Sequence, residues 1–541
     1  MIVFVMTQLL APMRAAGEPT ARPNVVIVMT DDQRRDLVSH MPQTLDLLAT
    51  HGTTFANAIV SHSQCAPSRT TAITGRYAHN TGVASNFTPA DSYERIDFAR
   101  ALPVALQRAG YHTAHVGKYV NFYGSRDASE IPLGYDDWFG LLRWEFYDYE
   151  ANDNGVVRSY GTAPEDYQTD VIAARAAAAI HTAAASRRPF VIWVAPVAPH
   201  DEGHFGLSPP RAAPRHVGAF AAEPLPMPAS FNEADVSDKP ARIRGLALFD
   251  DGAIAGITTR YRAQLGSLLA VDDLVARVVA ALEETGTLSD TIVIFTSDNG
   301  YLLGEHRLQG KLPHYQPSIG VPLLVRGPGI RTGVTQDALV SNVDLAATVA
   351  DLTGATPDDP IDGRSFRPLL ERPDRRPGNA VLLEGWPIPD DPGRMWEEGI
   401  VTARYRYTEH ANGERELYDL RVDPDELDSR HDDPAYARVQ DALARLRLGT
   451  RRCVGPACRP IVRLRLRTAE HDGILRVGVR GLDRRCVRMV TFETDAGSVT
   501  LEEPPFRTTL RGVTAKDVGA VVELWDGRVI TLGCRFAYCA D

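Results

Sequence analysis

Asn24-Val25-Val26-Ile27-Val28-Met29-Thr30-Asp31-Asp32 is the stretch on which the fold turns. From Val25 to Met29 it is apolar without a break, as in a strand covered on both faces, and it stops at two acids. Phe190 to Val194, Thr291 to Phe295 and Pro322 to Val325 repeat the pattern. Helical periodicity lies between them, at Tyr261 to Glu283 and Val343 to Leu352. Strands alternating with helices predict an α/β fold on a mainly parallel sheet flanked by helices. Ligands of such sheets gather beyond the carboxyl ends of the strands. Two strands run out into acids, one at Asp31-Asp32 and one at Asp298-Asn299-Gly300, and the expectation is that both groups meet on one rim.

At 541 residues the chain exceeds one ordinary domain, and 44% hydrophobic residues are ample for a large core. The net charge of −11 argues against a broad nucleic-acid or anionic-membrane surface, which needs a basic footprint. No segment is apolar for long enough to span a bilayer, so no integral membrane segment is expected. Arginine carries nearly all the positive charge. The only lysines are Lys118, Lys239, Lys311 and Lys516, so a lysine at a site suggests that a compact ammonium is needed there.

After about residue 375 the pattern changes. Short strand-like pieces, Ile400 to Tyr407 and Glu416 to Leu420, are followed by a charged helix ending near Leu448. Beyond Cys453, alternating segments such as Ile461 to Leu466 and Val521 to Trp525 predict an antiparallel β-sandwich. The expected division is a signal peptide at 1–20, a catalytic domain at 21–375, a smaller C-terminal subdomain at 376–452 and an appended β-rich module at 453–541. The leader has apolar Ile2 to Met6 and small Ala15-Ala16-Gly17, without a basic start. Five of the six cysteines, Cys453, Cys458, Cys486, Cys534 and Cys539, crowd the tail, as in a disulfide-bearing module of a secreted or extracytoplasmic protein.

The sixth, Cys65, opens Cys65-Ala66-Pro67-Ser68-Arg69-Thr70-Thr71-Ala72-Ile73-Thr74-Gly75. Pro67 suits a first helical turn, which places the sulfur where amide donors favour an anion and permits an activated thiol. The bland alternative is a small buried cysteine at a helix start.

That segment resembles the signature of the sulfatases, a cysteine followed by Pro-Ser-Arg and then Thr-Gly. The resemblance runs from about Asn24 to Asp428 and implies an alkaline-phosphatase-like fold. It also implies that a formylglycine-generating enzyme oxidises Cys65 to formylglycine. One hydroxyl of the hydrated aldehyde would attack sulfur, giving a sulfated enzyme, and the other would expel sulfate. Asp31, Asp32, Asp298 and Asn299, with residue 65, look like the family's metal ligands, and oxygen-only ligands in an asymmetric cage suit one Ca²⁺. Lys118, in Gly117-Lys118-Tyr119-Val120-Asn121, and Lys311, in Gly310-Lys311, match its sulfate-binding lysines, and Arg69 would join them in stabilising charge. His200, after Ala198-Pro199, would protonate the leaving oxygen, with His204 next in line. Val120 stands where many members have a histidine, so no helper role is transferred there. The segment around Asn121 is similar to that of N-acetylglucosamine-6-sulfatases and heparan-sulfate-acting relatives. The expected substrate is therefore a 6-O-sulfated N-acetylglucosamine or related glycosaminoglycan unit. The alternatives are a phosphodiesterase or phosphonate hydrolase of the same fold, and a catalytically silent protein that binds sulfated glycans.

Overall fold

The structure, a computed structural model, describes residues 22–203, 208–373, 379–385, 387–388, 391–459, 464–471, 474–481, 487–494, 497–502, 505–511, 513, 518–525 and 528–533. Ten strands form one sheet: β1 (Asn24–Thr30), β2 (Gly52–Phe55), β3 (His112–Gly117), β4 (Asp137–Leu141), β5 (Glu150–Asp153), β6 (Val156–Ser159), β7 (Phe190–Ala195), β8 (Thr291–Ser297), β9 (Leu323–Arg326) and β10 (Val334–Gln336). Their order is β10-β2-β9-β8-β1-β7-β3-β4-β5-β6. The central run β8-β1-β7-β3-β4 is parallel throughout. The flanks carry antiparallel pairings, β9 with both β8 and β2, and β5 with both β4 and β6. The segment expected at Pro322 to Val325 is thus a strand of the sheet, but it runs against its neighbours.

β1 is buried along its whole length. Val25, Ile27 and Met29 face a layer that includes α1 (Cys65–Thr74), α2 (Leu102–Arg108) and, later in the chain, α5 (Val343–Thr353). Val26 and Val28 face the opposite layer, with α3 (Gln168–Ala185) and α4 (Asp251–Glu284). A strand that packs on both faces gains about 1.5–3 kcal/mol for each such aliphatic side chain, which is why its apolar run has no polar alternation. α4 starts ten residues before the helix expected at Tyr261. Its first turns, with two glycines and mostly half-buried or exposed positions, lack an apolar stripe, and the Asp250 carboxylate caps them by accepting from the Ala253 N–H at 2.8 Å.

The four antiparallel strands β11 (Ala380–Glu384), β12 (Glu397–Thr402), β13 (Tyr405–His410) and β14 (Arg415–Asp419) pair in chain order. Val439, Leu443 and Leu446 of α6 (Ala437–Thr450) cover Ile400, Tyr405, Tyr407 and Leu417. The strand-like piece expected over Ile400 to Tyr407 is therefore two strands, reversed at Ala403-Arg404.

The tail holds two antiparallel sheets. β15 (Leu464–His471), β16 (Ile474–Gly481) and β19 (Arg507–Arg511) form one, and β17 (Val487–Thr494), β18 (Gly497–Leu501), β20 (Gly519–Leu524) and β21 (Val529–Gly533) form the other. Leu475 and Val477 from the first share a core with Val490, Phe492, Val522 and Leu524 from the second, the arrangement of a β-sandwich. Glu523 ties it to the subdomain by accepting from Arg404 at 2.7 Å, and accepts from Arg488 of its own sheet at 2.7 Å.

Cys453 and Cys458 form a disulfide, packed on Tyr77, Val343 and Leu382. The bond therefore closes a short local loop packed against the large α/β unit and does not staple the sandwich. Cys486, Cys534, Cys539 and the leader lie outside the described residues. Among the described residues no helix is long and apolar enough to cross a membrane.

Candidate active site

Parallel pairing of β1 with β8, in the register Thr30 to Ser297, puts Asp31 beside Asp298. The Asp298 N–H donates to the Thr30 carbonyl at 3.1 Å, and the Asp32 N–H donates to Asp298 Oδ1 at 3.1 Å. Asp31, Asp32, Asp298 and Asn299 are all buried. The two acidic strand ends meet as expected.

Cys65 is the first residue of α1, whose ten residues are all buried, and Gly75 ends the helix in the left-handed conformation at φ 69°. Its Sγ lies 3.4 Å from Asp31 Oδ1, and Lys311 Nζ donates to it at 2.8 Å. This sulfur stands where a hydrate oxygen of formylglycine would be. Burial, then the charge of Asp31, pushes the unmodified thiol up to about 12, with Lys118 and Lys311 opposing. The activated thiolate permitted by the sequence is therefore disfavoured, despite the helix N-terminus.

Positive charge surrounds the acids. Arg69, one turn along α1, donates from Nε to Asp298 Oδ2 at 2.7 Å, and its guanidinium reaches Asp31 Oδ2 at 3.3 Å. Lys118 pairs with Asp31, and Lys311 Nζ lies 2.6 Å from Asp32 Oδ1. Gly117, at φ 118°, makes the Lys118 position possible, because a Cβ there would sit 2.1 Å from the Ala195 carbonyl of β7. Burial raises the Asp31 carboxyl, but Lys118, His200, Arg69 and Lys311 together outweigh it and hold the group well below the usual carboxylate range.

His200 follows β7 and is buried. Its Nδ1 lies 2.6 Å from the Asp201 carbonyl, to which it donates, and its Nε2 lies 3.7 Å from Asp32 Oδ2. That bond selects the tautomer and aims Nε2 at the pocket. Burial holds His200 down to about 4, against the pull of Asp31. A bound anionic ester would supply negative charge that favours the protonated ring. His204 lies outside the described residues.

The donor set around Asp31, Asp32, Asp298 and Asn299 has the chemistry of a cation site. Asn299 Nδ2 donates to Asp32 Oδ1 at 2.6 Å and to the Gly300 carbonyl at 2.8 Å, while its buried Oδ1 has no hydrogen-bond partner. An unanswered buried oxygen beside three carboxylates fits a hard cation. Asp31, Asp32, Cys65 and His200 also bring ligand atoms within 4.8 Å of one another.

The sulfatase family profile matches residues 23–355, and the profile of the N-sulphoglucosamine sulphohydrolase C-terminal region matches residues 304–452. The chain belongs to the sulfatase family. Sulfatases are sulfuric ester hydrolases that use a metal and formylglycine, and the buried acids around Cys65 fit both. Among relatives, the chain is 34% identical to an arylsulfatase of Volvox carteri over 81% of its own length and 76% of the relative's. It is 36% identical to human N-acetylglucosamine-6-sulfatase over 66% of its own length and 65% of the relative's. A solved structure described as a complex with its substrate, D-glucosamine-2-N,6-O-disulfate, superposes with a TM-score of 0.67 at 26% identity, over 80% of this chain and 97% of that one.

Several neighbours of the site escaped sequence reading. Ser68 Oγ donates to the Asp298 carbonyl and Asn342 Nδ2 donates to Ser68 Oγ at 2.9 Å, so α1 is clipped to the Asp298-Asn299 loop. The Trp144 ring lies 4.4 Å from Lys118 Nζ and 6.1 Å from the His200 ring. Asp201 accepts from Arg260 Nε at 3.0 Å and from the Tyr301 hydroxyl at 3.3 Å, which fixes the residue whose carbonyl orients His200. Only the placement of Ser68 inside the Cys65 motif offered a signal. His306 is held by Glu233 at 2.6 Å and packs on Tyr315, a structural role. Lys239 is buried between Glu233 at 3.3 Å and Asp238 at 2.9 Å.

Proposed function

We propose that this sulfatase removes a 6-O-sulfate from N-acetylglucosamine or a related glycosaminoglycan unit, using formylglycine at position 65 and one Ca²⁺. The observation that carries the reading is the closure of Asp31, Asp32, Asp298, Asn299, Lys118, Lys311 and His200 around Cys65 Sγ. The names of the human relative and of the ligand in the superposed structure support the sugar.

Position 65, as hydrated formylglycine, would supply one hydroxyl to attack sulfur and another to expel sulfate. Asp31, Asp32, Asp298 and Asn299 would hold Ca²⁺, which would polarise a sulfate oxygen as a Lewis acid. Lys311, already at hydrogen-bond distance from position 65, holds the sulfuryl oxygens, and Lys118 and Arg69 balance the charge on the acids. His200 Nε2 gives its proton to the departing sugar oxygen, a poor leaving group until protonated. The Cys453–Cys458 disulfide supports maturation in an oxidising, extracytoplasmic compartment.

The experiment is a panel of sugar 6-, 4- and 3-sulfates, nitrophenyl sulfate and the matching phosphate esters. Protein matured by a formylglycine-generating enzyme is used, chelated and then reloaded with Ca²⁺, Mg²⁺ or Zn²⁺. Preference for the sugar 6-sulfate, restored by Ca²⁺, supports the reading. Preference for phosphodiesters or phosphonates, or restoration only by Zn²⁺, would overturn it.

A further inference from the structure

The chain as a whole is acidic, yet from residue 453 onward fourteen Lys or Arg stand against eleven Asp or Glu. In β16, Leu475 and Val477 point into the sandwich core, and Arg476 between them is exposed. The strand register sets Arg476 opposite Ala469 and Thr509, Gly478 opposite Arg467 and Arg507, Arg480 opposite Arg465, and Ile474 opposite Arg511. Strand alternation therefore places Arg476, Arg507 and Arg511 on the outer face of one three-stranded sheet. The side chains of all three are exposed there, and neither β16 nor β19 contains an acidic residue.

We propose that this face binds the sulfated polysaccharide chain whose units the active site desulfates. Positions on it repeat at about 7 Å along a strand and about 5 Å between strands, so it is a lattice of guanidiniums rather than one pocket. A planar fork of donors matches the sulfate group bidentately, and exposed arginines adapt to irregular sulfation. A polyanion fits such a lattice by charge, while the acidic remainder of the chain repels one elsewhere. β16 and β19 hold no aromatic residue for base stacking, which favours a sulfated glycan over nucleic acid.

This inference rests on the proposed action on sulfated glycans, and the two are separable. Binding of the full chain to heparin, hyaluronan and duplex DNA is measured against salt, in wild type, in Arg476→Glu, in the triple variant Arg476→Glu/Arg507→Glu/Arg511→Glu and in the triple Lys variant, with melting temperature as the control for folding. The triple Glu variant is expected to bind heparin about 10-fold or more weakly, with a shallower salt dependence, and Arg476→Glu in part. The Lys variant keeps most of the affinity. Turnover of a monosaccharide 6-sulfate stays unchanged, while KM for heparin-derived polymer rises at constant kcat. Unaltered heparin binding in both folded Glu variants, or equal wild-type affinity for DNA or unsulfated hyaluronan, overturns the inference. Heparin binding lost on Glu substitution in a chain that desulfates no sugar keeps the face and removes the proposed substrate.

Discussion

Positive charge is used in two ways in this molecule. At the strand-end pocket Lys118 and Arg69 are almost wholly buried, each held against a named carboxylate. On the sandwich, Arg476, Arg507 and Arg511 stand in water at positions repeated by the pleat. Burial strengthens each charge and fixes it to one geometry, so it can act on a single bond. Exposure leaves each charge weak and screened, and only the sum over the face has an effect.

The comparison is broken most severely at position 65. Cys65→Ala should abolish turnover of every sulfate ester while heparin binding by the sandwich face stays intact. Activity in that variant, or in protein whose residue-65 peptide has the mass of an unmodified thiol, would show that the pocket works otherwise.

The next effect sharpens the pocket's internal division of labour. His200→Ala should slow a sugar 6-sulfate about 10²-fold more than nitrophenyl sulfate, since nitrophenolate leaves without a proton. Lys311→Ala should slow both equally. Single-turnover kinetics separate this from product release, and equal losses in His200→Ala would transfer the acid role to His204.

A smaller loss of the same kind is expected one contact further out. Arg260→Ala releases Asp201 and so loosens the carbonyl that sets the His200 tautomer. It should lower kcat for the sugar ester by about 10-fold with little change for nitrophenyl sulfate, and Arg260→Lys should recover part of it. A parallel fall for both esters would reduce the contact to general packing.

The smallest effect lies where the disulfide meets the large α/β unit. His79 Nδ1 faces Glu384 at 2.7 Å and its Nε2 lies 2.9 Å from the Cys453 carbonyl. Burial lowers His79, but the bond to Glu384 and its charge lift it to about 9. The folded state therefore binds this proton more tightly than the unfolded one. Its stabilisation is complete below pH 6.5 and disappears as pH rises through 9. On the order of 1 kcal/mol is expected after solvent screening. Melting temperatures of wild type and His79→Gln should differ at pH 6 and converge near pH 10, and a constant offset would refute the ion pair.

Much of this was legible in the sequence because its strongest signals were local. The apolar run of β1 and the Cys65 motif each carry their meaning within about a dozen residues, and the acids sit directly on strand ends. What remained hidden depended on distant partners. Arg260 lies in the glycine-containing start of α4, where no apolar stripe marks a helix, and only folding brings it to Asp201, 59 residues away. The reversal at Ala403-Arg404 joins two strands whose apolar residues read as one run. The direction of β9 was equally invisible, because an apolar strand has the same composition whichever way it runs.

Asp32 carries the pocket's logic into its backbone. It sits at φ 66°, in the left-handed region that aspartate, asparagine and glycine enter most readily. The conformational filter admits that short alphabet, and the proposed ligand role would then ask for an anionic oxygen. Asparagine satisfies the first without the charge, glycine satisfies it without the ligand, and glutamate satisfies the second at the expense of the first. With the proposed ligand role, two independent constraints would intersect on one amino acid.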